Sequence, residues 1–383
     1  RLITLILFTL LISWGIVVAP FNFNDGESTL KRVSVDAIPN IGENQQIVFT
    51  EWPGRSPQDI EDQITYPLTS TLLGISGVKA VRSSSMFGFS SIYVIFNDDV
   101  EYYWTRNRIL EKLNSLSPDL LPENIKPSLG PDATALGQIF WYTLEGRDPD
   151  GNVTGGWDLQ EMRKVQDYYI KFGLSAVPGV SEVAAIGGYI QEYQIDVNPF
   201  LMNSYDISID QVALAVKNTN RDVGAKTIEI NQVEYLIRGL GYLKSISDLE
   251  LAVVKLNDDV PIRIKDIATV SMGPAERRGI LDKAGAEAVG GVVVSRFDSN
   301  PMEVIQQVKE KITQLAKGMP SKVLEDGRIS KLTLIPFYDR SQLIEETLDT
   351  LWDALTLEIL ITIIIVLIMI FNLRASLMIA AVL

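Results

Sequence analysis

Whatever chemistry this chain performs, it performs without imidazole or thiolate, because it contains no His and no Cys. That removes Ser–His and Cys–His nucleophilic catalysis, imidazole and thiolate metal sites, and disulfides. The groups left to meet a metal are carboxylates, thioethers, carbonyl oxygens and water. Asp and Glu number 48, yet no spacing among them nominates a general acid–base dyad, and no Ser–Lys pair stands out. The eight Met include no Met-x-x-Met pair; Met86, Met162, Met202 and Met272 read as packing or surface residues. The formal net charge of −14 argues against nucleic acid, whose phosphates need a basic face. An enzyme is not expected.

Two apolar runs bracket the chain. Leu2 to Ala19 is free of charge, and Ala354 to Leu373 is interrupted only by Glu358. Each is long enough to read as a helix crossing ~30 Å of hydrocarbon. The first reads as an anchor rather than a cleaved signal, since no small-x-small cleavage site follows it cleanly. A further apolar stretch, Ala375 to Leu383, reads as a third span cut short, and the chain opens on Arg1 rather than Met, so a fragment of a longer membrane protein is expected. Arg1 and Arg374 lie on one side under this topology, which places the polar insert outside the cytoplasm. Phe21–Arg32, rich in Asn, Asp and Gly, reads as a loop beyond the first run.

The insert alternates strands and helices, and the same order occurs twice. The first unit has strands at 46–52, 78–82, 92–96 and 125–129 and helices opening at Ser56-Pro57 and near Glu101. Its first helix carries Ile60, Ile64, Leu68 and Leu72, a four-residue step assigned to one face, with a kink expected at Pro67. The second unit has strands at 138–144, 181–186, 288–294 and 332–337 and helices at 159–172 and 301–317. Both read β-α-β-β-α-β. Gly77-Val78-Lys79-Ala80-Val81 and Gly179-Val180-Ser181-Glu182-Val183 follow the first helix of each unit, which supports a duplication. A separate insertion, about Gly188 to Gly273, interrupts the second unit. Ser341 to Asp353 reads as a helix running straight into the second apolar run.

Several short stretches occur in a telling order: Val35-Asp36-Ala37-Ile38-Pro39, Pro53-Gly54-Arg55-Ser56-Pro57, Tyr66-Pro67-Leu68, Gly130-Pro131-Asp132-Ala133-Thr134, Val165-Gln166-Asp167-Tyr168-Tyr169, Gly187-Gly188 before Glu192-Tyr193, Gly273-Pro274, Arg277-Arg278-Gly279, Gly290-Gly291-Val292-Val293 and Tyr338-Asp339-Arg340-Ser341-Gln342-Leu343-Ile344. Through them the chain resembles the resistance-nodulation-division superfamily of proton-driven exporters, and within it the heavy-metal efflux branch, most like the copper and silver exporters.

The resemblance implies an α+β fold: transmembrane helices flanking two ferredoxin-like β-α-β-β-α-β porter subdomains, the second interrupted by a small α+β docking subdomain. The implied division is a first transmembrane helix (1–21), a connecting loop (22–45), a first porter subdomain (46–130), a second in two parts (131–187 and 274–340), a docking subdomain (188–273), a helix continuing into the second span (341–373) and the start of a third (374–383). The resemblance further implies a homotrimer in the bacterial inner membrane, with 22–353 in the periplasm. A periplasmic adaptor, an outer-membrane channel and membrane lipid would be its partners. The metal ion would be cargo, the proton gradient the energy source, and no cofactor is implied. The family's intramembrane proton relay and its methionine triad would lie beyond this chain. Two positions bear on the metal as substrate-path candidates. Glu276 stands where copper and silver exporters tend to have Met, and Gln138 where some divalent-ion exporters carry a carboxylate. The competing readings are a multidrug exporter of the same superfamily, a two-span sensor with a periplasmic ligand-binding domain, and a membrane-anchored enzyme.

Overall fold

The computed structural model describes residues 2–18, 35–39, 41–231, 233–239, 241–257, 259–277, 279–370 and 378. The loop expected at Phe21–Arg32, both terminal arginines of the topology argument, and all of the expected third span except Met378 lie outside them. The chain divides into two compact units. The larger holds Arg1–Trp157, Val165–Ile186 and Ala288–Leu383; the smaller holds Asp158–Lys164 and Gly187–Glu287. The fold is mixed α/β.

The larger unit contains two lobes. In the first, strands Gln45–Glu51, Val78–Met86, Phe89–Phe96 and Ser128–Leu129 form one sheet in the spatial order second, third, first, fourth. Alternate residues of Gln45–Glu51 point inward, as a strand with one face on a core requires. Val48, Ile92, Val94 and Phe96 from the sheet meet Ile60, Ile64, Leu68, Leu72 and Ile109 from the helices, all without solvent exposure. The fourth strand, expected over 125–129, shrinks to Ser128–Leu129; Ile125 instead packs on the core from a turn. In the second lobe, strands Gln138–Arg147, Val180–Gly187, Ala286–Ser295 and Ile329–Asp339 repeat the same spatial order, with Ser321–Val323 added at the edge beside Ile329–Asp339.

The smaller unit opens and closes on one antiparallel pair, Gln191–Val197 with Ala268–Pro274. Helices Pro199–Ser204, Ile209–Thr219 and Ile246–Glu250 and the hairpin Val223–Ile230 with Val233–Gly239 lie between. Reciprocal capping boxes start two of these helices, Ser208 with Gln211 and Ser245 with Asp248. Ile207, Val212, Ile262 and Ile267 form one small core, and Leu249, Ala252, Ile264 and Val270 another.

Two expectations need correction. The first concerns the spans. The apolar runs do fold as helices, Leu2–Val18 and the distal part of Arg340–Ile370, with most of their side chains exposed. Among the described residues, however, no helix is long and apolar enough to cross a membrane. Leu2–Val18 has 17 residues. At ~1.5 Å per residue that is about 26 Å, short of ~30 Å of hydrocarbon. The apolar part of the second begins only at Ala354, carries Glu358, and is described to Ile370; it too reaches about 26 Å.

The stripe Ile60, Ile64, Leu68, Leu72 is buried in one core as expected, and the second correction concerns the helix that carries it, which is not α throughout. On an α-helix each four-residue step drifts about 40°, or about 120° over three steps, so on an uninterrupted α-helix the four would spread over a wide face. The structure answers with a π turn at Glu61–Thr65, where the Tyr66 N–H donates to the Glu61 carbonyl five residues back. The extra residue cancels the drift. Pro67 follows this wide turn, at the start of the α segment Tyr66–Leu73, where a missing N–H is tolerated.

The second lobe does the same at Gln166–Ile170, where the Lys171 N–H donates to the Gln166 carbonyl. Here Gln166 is fully buried. The Tyr142 phenol donates to its side-chain carbonyl oxygen (3.0 Å) and accepts from its amide nitrogen (2.9 Å). Burial pushes the Tyr142 phenol well above its ordinary range. Gly291 stands opposite Tyr142 in register, and a Cβ there would lie 2.5 Å from the phenol oxygen. Gly291→Ala is expected to destabilise the chain by roughly 1–3 kcal/mol through displacement of that phenol. Gly224→Ala, with nothing within 4 Å of the added Cβ, should change stability by no more than about 0.5 kcal/mol. Urea denaturation of both variants checks this.

Candidate functional site

Strand Ile329–Asp339 passes into helix Arg340–Ile370 without a break. The residues at this join carry the densest set of long-range polar contacts around a buried charge. Arg340 is 4% exposed. Its guanidinium donates to the Leu136 carbonyl (2.6 Å), the Gln138 carbonyl (3.2 Å) and Asp36 Oδ2 (3.1 Å). Asp36 also accepts from the Ile38 N–H, so its carboxylate orders the segment that leads into the first sheet.

On the other side of the same turn, Asp339 accepts from the Ser341 N–H (3.0 Å) and Oγ (2.7 Å) and pairs with Lys309 Nζ at 2.5 Å. Lys309 also donates to Ser341 Oγ. A carboxylate bonded to a first-turn N–H is well placed against the positive end of the helix. Lys309 comes from helix Pro301–Leu315, Leu136 from the short 3-10 turn Ala135–Gly137, and Gln138 from the start of its strand. What the arrangement can do is hold the start of a long helix to the two lobes.

The lobes meet beside a cleft of about 450 Å3 lined in part by Glu43, Asn44, Lys79, Asp98, Tyr102 and Phe297. Tyr102 stacks on Phe297 with ring centres 4.0 Å apart, and its hydroxyl donates to the Ala133 carbonyl. Arg106 reaches across to the Gly130 and Pro131 carbonyls. Burial raises the Tyr102 and Tyr103 phenols above their ordinary value, with the nearby Arg106 opposing the shift at both. The cleft mixes both signs of charge.

The sequence-derived candidates fall elsewhere. The Gln138 side chain is exposed in the larger unit, where its carbonyl serves Arg340; Glu276 is exposed in the smaller one. Among the described residues no group of three carboxylates is placed to hold a metal ion. Met162 is buried, while Met86 and Met272 are exposed. Glu358 is exposed on its helix. The Asp36–Arg340 pair was missed in the sequence although both residues stand in recognisable motifs, because a contact across 304 residues leaves no local signal. The one available hint was an arginine set between a strand and an apolar helix.

Arg340→Met should lower stability by about 2–4 kcal/mol, because it strands one carboxylate and two carbonyls. Asp36→Asn should cost less, and the double variant should show a coupling of at least about 0.5 kcal/mol. Denaturation of the three variants in detergent gives the cycle.

The pattern of the AcrB/AcrD/AcrF family matches residues 3–383. Among individual proteins, the chain is 39% identical over 354 residues to the putative cation efflux system protein SilA of Salmonella typhimurium, covering 92% of this chain and 32% of that protein. It is 30% identical over 376 residues to the nickel and cobalt resistance protein CnrA of Cupriavidus metallidurans, covering 92% and 34%. The crystal structure of a heavy metal efflux pump superposes with a TM-score of 0.82 at 26% identity, over 99% of this chain and 36% of that one. The chain thus spans about a third of the length of the curated relatives it matches. The motif resemblance to the heavy-metal branch of the resistance-nodulation-division exporters is borne out, and the chain belongs to the AcrB/AcrD/AcrF family.

Proposed function

We propose that this chain is the N-terminal part of a proton-driven metal-cation efflux transporter of the bacterial inner membrane, exporting monovalent or divalent heavy-metal ions. The observation that carries the reading is the likeness to a heavy metal efflux pump over 99% of the chain, joined to relatives described as cation efflux and metal resistance proteins. In this reading the lobes over 46–130 and over 131–187 with 274–340 are ferredoxin-like porter subdomains, and 188–273 is the docking subdomain. The apolar helices Leu2–Val18 and the distal part of Arg340–Ile370 face lipid, to which their exposed side chains are suited. The assembly is a homotrimer with a periplasmic adaptor and an outer-membrane channel, and 22–353 lies in the periplasm. The protein is a transporter and not an enzyme, and it needs no resident cofactor.

Mechanically, the lobes change shape around their cleft while the Arg340 and Asp339 contacts carry that movement into the long helix. Proton-handling groups belong to parts of the transporter outside this chain. Glu276 and Gln138 remain substrate-path candidates as single exposed groups.

The test is a chimaera in which this chain replaces the matching third of the Salmonella typhimurium relative, expressed in a host lacking its own metal exporters. Restored growth on copper, silver, zinc, cobalt or nickel salts is expected from the chimaera and not from this chain alone. Resistance conferred by the chain alone, or none from a chimaera that reaches the membrane at normal levels, overturns the reading. Within the chimaera, Glu276→Gln should lower metal tolerance by more than about twofold, as a carboxylate on the substrate path predicts.

A further inference from the structure

Each lobe has one π turn in its first helix, Glu61–Thr65 and Gln166–Ile170, the second lying three positions further along. Taking Gly77 and Gly179 as equivalent, Ile60, Ile64, Leu68 and Leu72 of the first lobe match Met162, Gln166, Ile170 and Leu174 of the second. All eight are buried, seven of them completely. Both stripes therefore step by four residues three times over, a spacing that on an uninterrupted α-helix spreads over about 120°. In each lobe a fully buried polar side chain within the turn is held by the sheet beneath. Thr65 bonds Ser90 Oγ (2.7 Å) and Ser85 Oγ (2.8 Å), and Gln166 bonds the Tyr142 phenol. On the opposite face both helices present an exposed tyrosine at the equivalent position, Tyr66 and Tyr168.

We propose that these π turns are points of compliance, one in the first helix of each lobe, where that helix is held off its α register at a cost in local stability and so opens ahead of the helix around it. A π turn has poorer backbone hydrogen-bond geometry than an α turn and persists only where packing over-determines it. Here the buried stripe and the polar pair beneath it do so. Removing one outward residue takes away the need for the turn. Without Tyr168 the second stripe steps by four, three and four, and without Asp62 the first steps by three, four and four. Both are the ordinary amphipathic α spacing. The buried faces stay where they are, and the helix closes into continuous α bonding.

The experiment is hydrogen exchange and thermal unfolding of the full chain in detergent, comparing the parent with single-residue deletions of Tyr168 and of Asp62. A control deletes Glu310 from the regular helix Pro301–Leu315. Deleting Tyr168 should slow exchange of the amides across 166–174 by about tenfold or more without lowering the melting temperature, and deleting Asp62 should do the same across 61–72. Deleting Glu310 should lower the melting temperature, because it swings Ile312 and Leu315 off the core. Unchanged or faster exchange in both π-turn deletions, or a fall in melting temperature as large as the control's, overturns the proposal.

Discussion

A guanidinium cannot be left dry and unpaired, and in this chain that requirement falls on Arg340. Its cost of burial is offset only when a carboxylate and two carbonyls from distant stretches converge on it. The partners lie 304, 204 and 202 residues away. No partial fold can satisfy it: the segment after the first apolar helix, the turn between the lobes and the end of the last strand must all be in place. Asp339 and Lys309 then secure the same turn from the other side. Hydrophobic packing builds each lobe separately, and this polar knot sets how the long helix leaves them.

Much of the fold was legible because strands with one buried face announce themselves. Gln138–Arg147 and Ala286–Ser295 begin within two residues of their expected starts. Legibility failed where tertiary context outvoted local pattern. Ile125 looked like strand but serves a core from a turn, since its sheet needed only Ser128–Leu129 to close. The π turns were written in the sequence as a step of four repeated once too often, yet an i, i+4 pattern is ordinarily read as α without asking how far it drifts. The apolar runs are helical, but helix length within the described residues falls short of what hydropathy alone suggested.

The candidate site was the least legible part. Gln138 was singled out for its side chain and turns out to contribute its backbone carbonyl, which is blind to residue type. Glu276 stands exposed. With imidazole and thiolate absent, a metal would be met here by scattered oxygen donors, and scattered donors give no spacing to read.

The smaller unit begins and ends on neighbouring antiparallel strands, with Gln191 opposite Pro274. The segment of some eighty residues between them thus starts and ends on paired neighbours. A segment attached in that way can be lengthened, recut or traded among lineages without re-registering the scaffold that carries it.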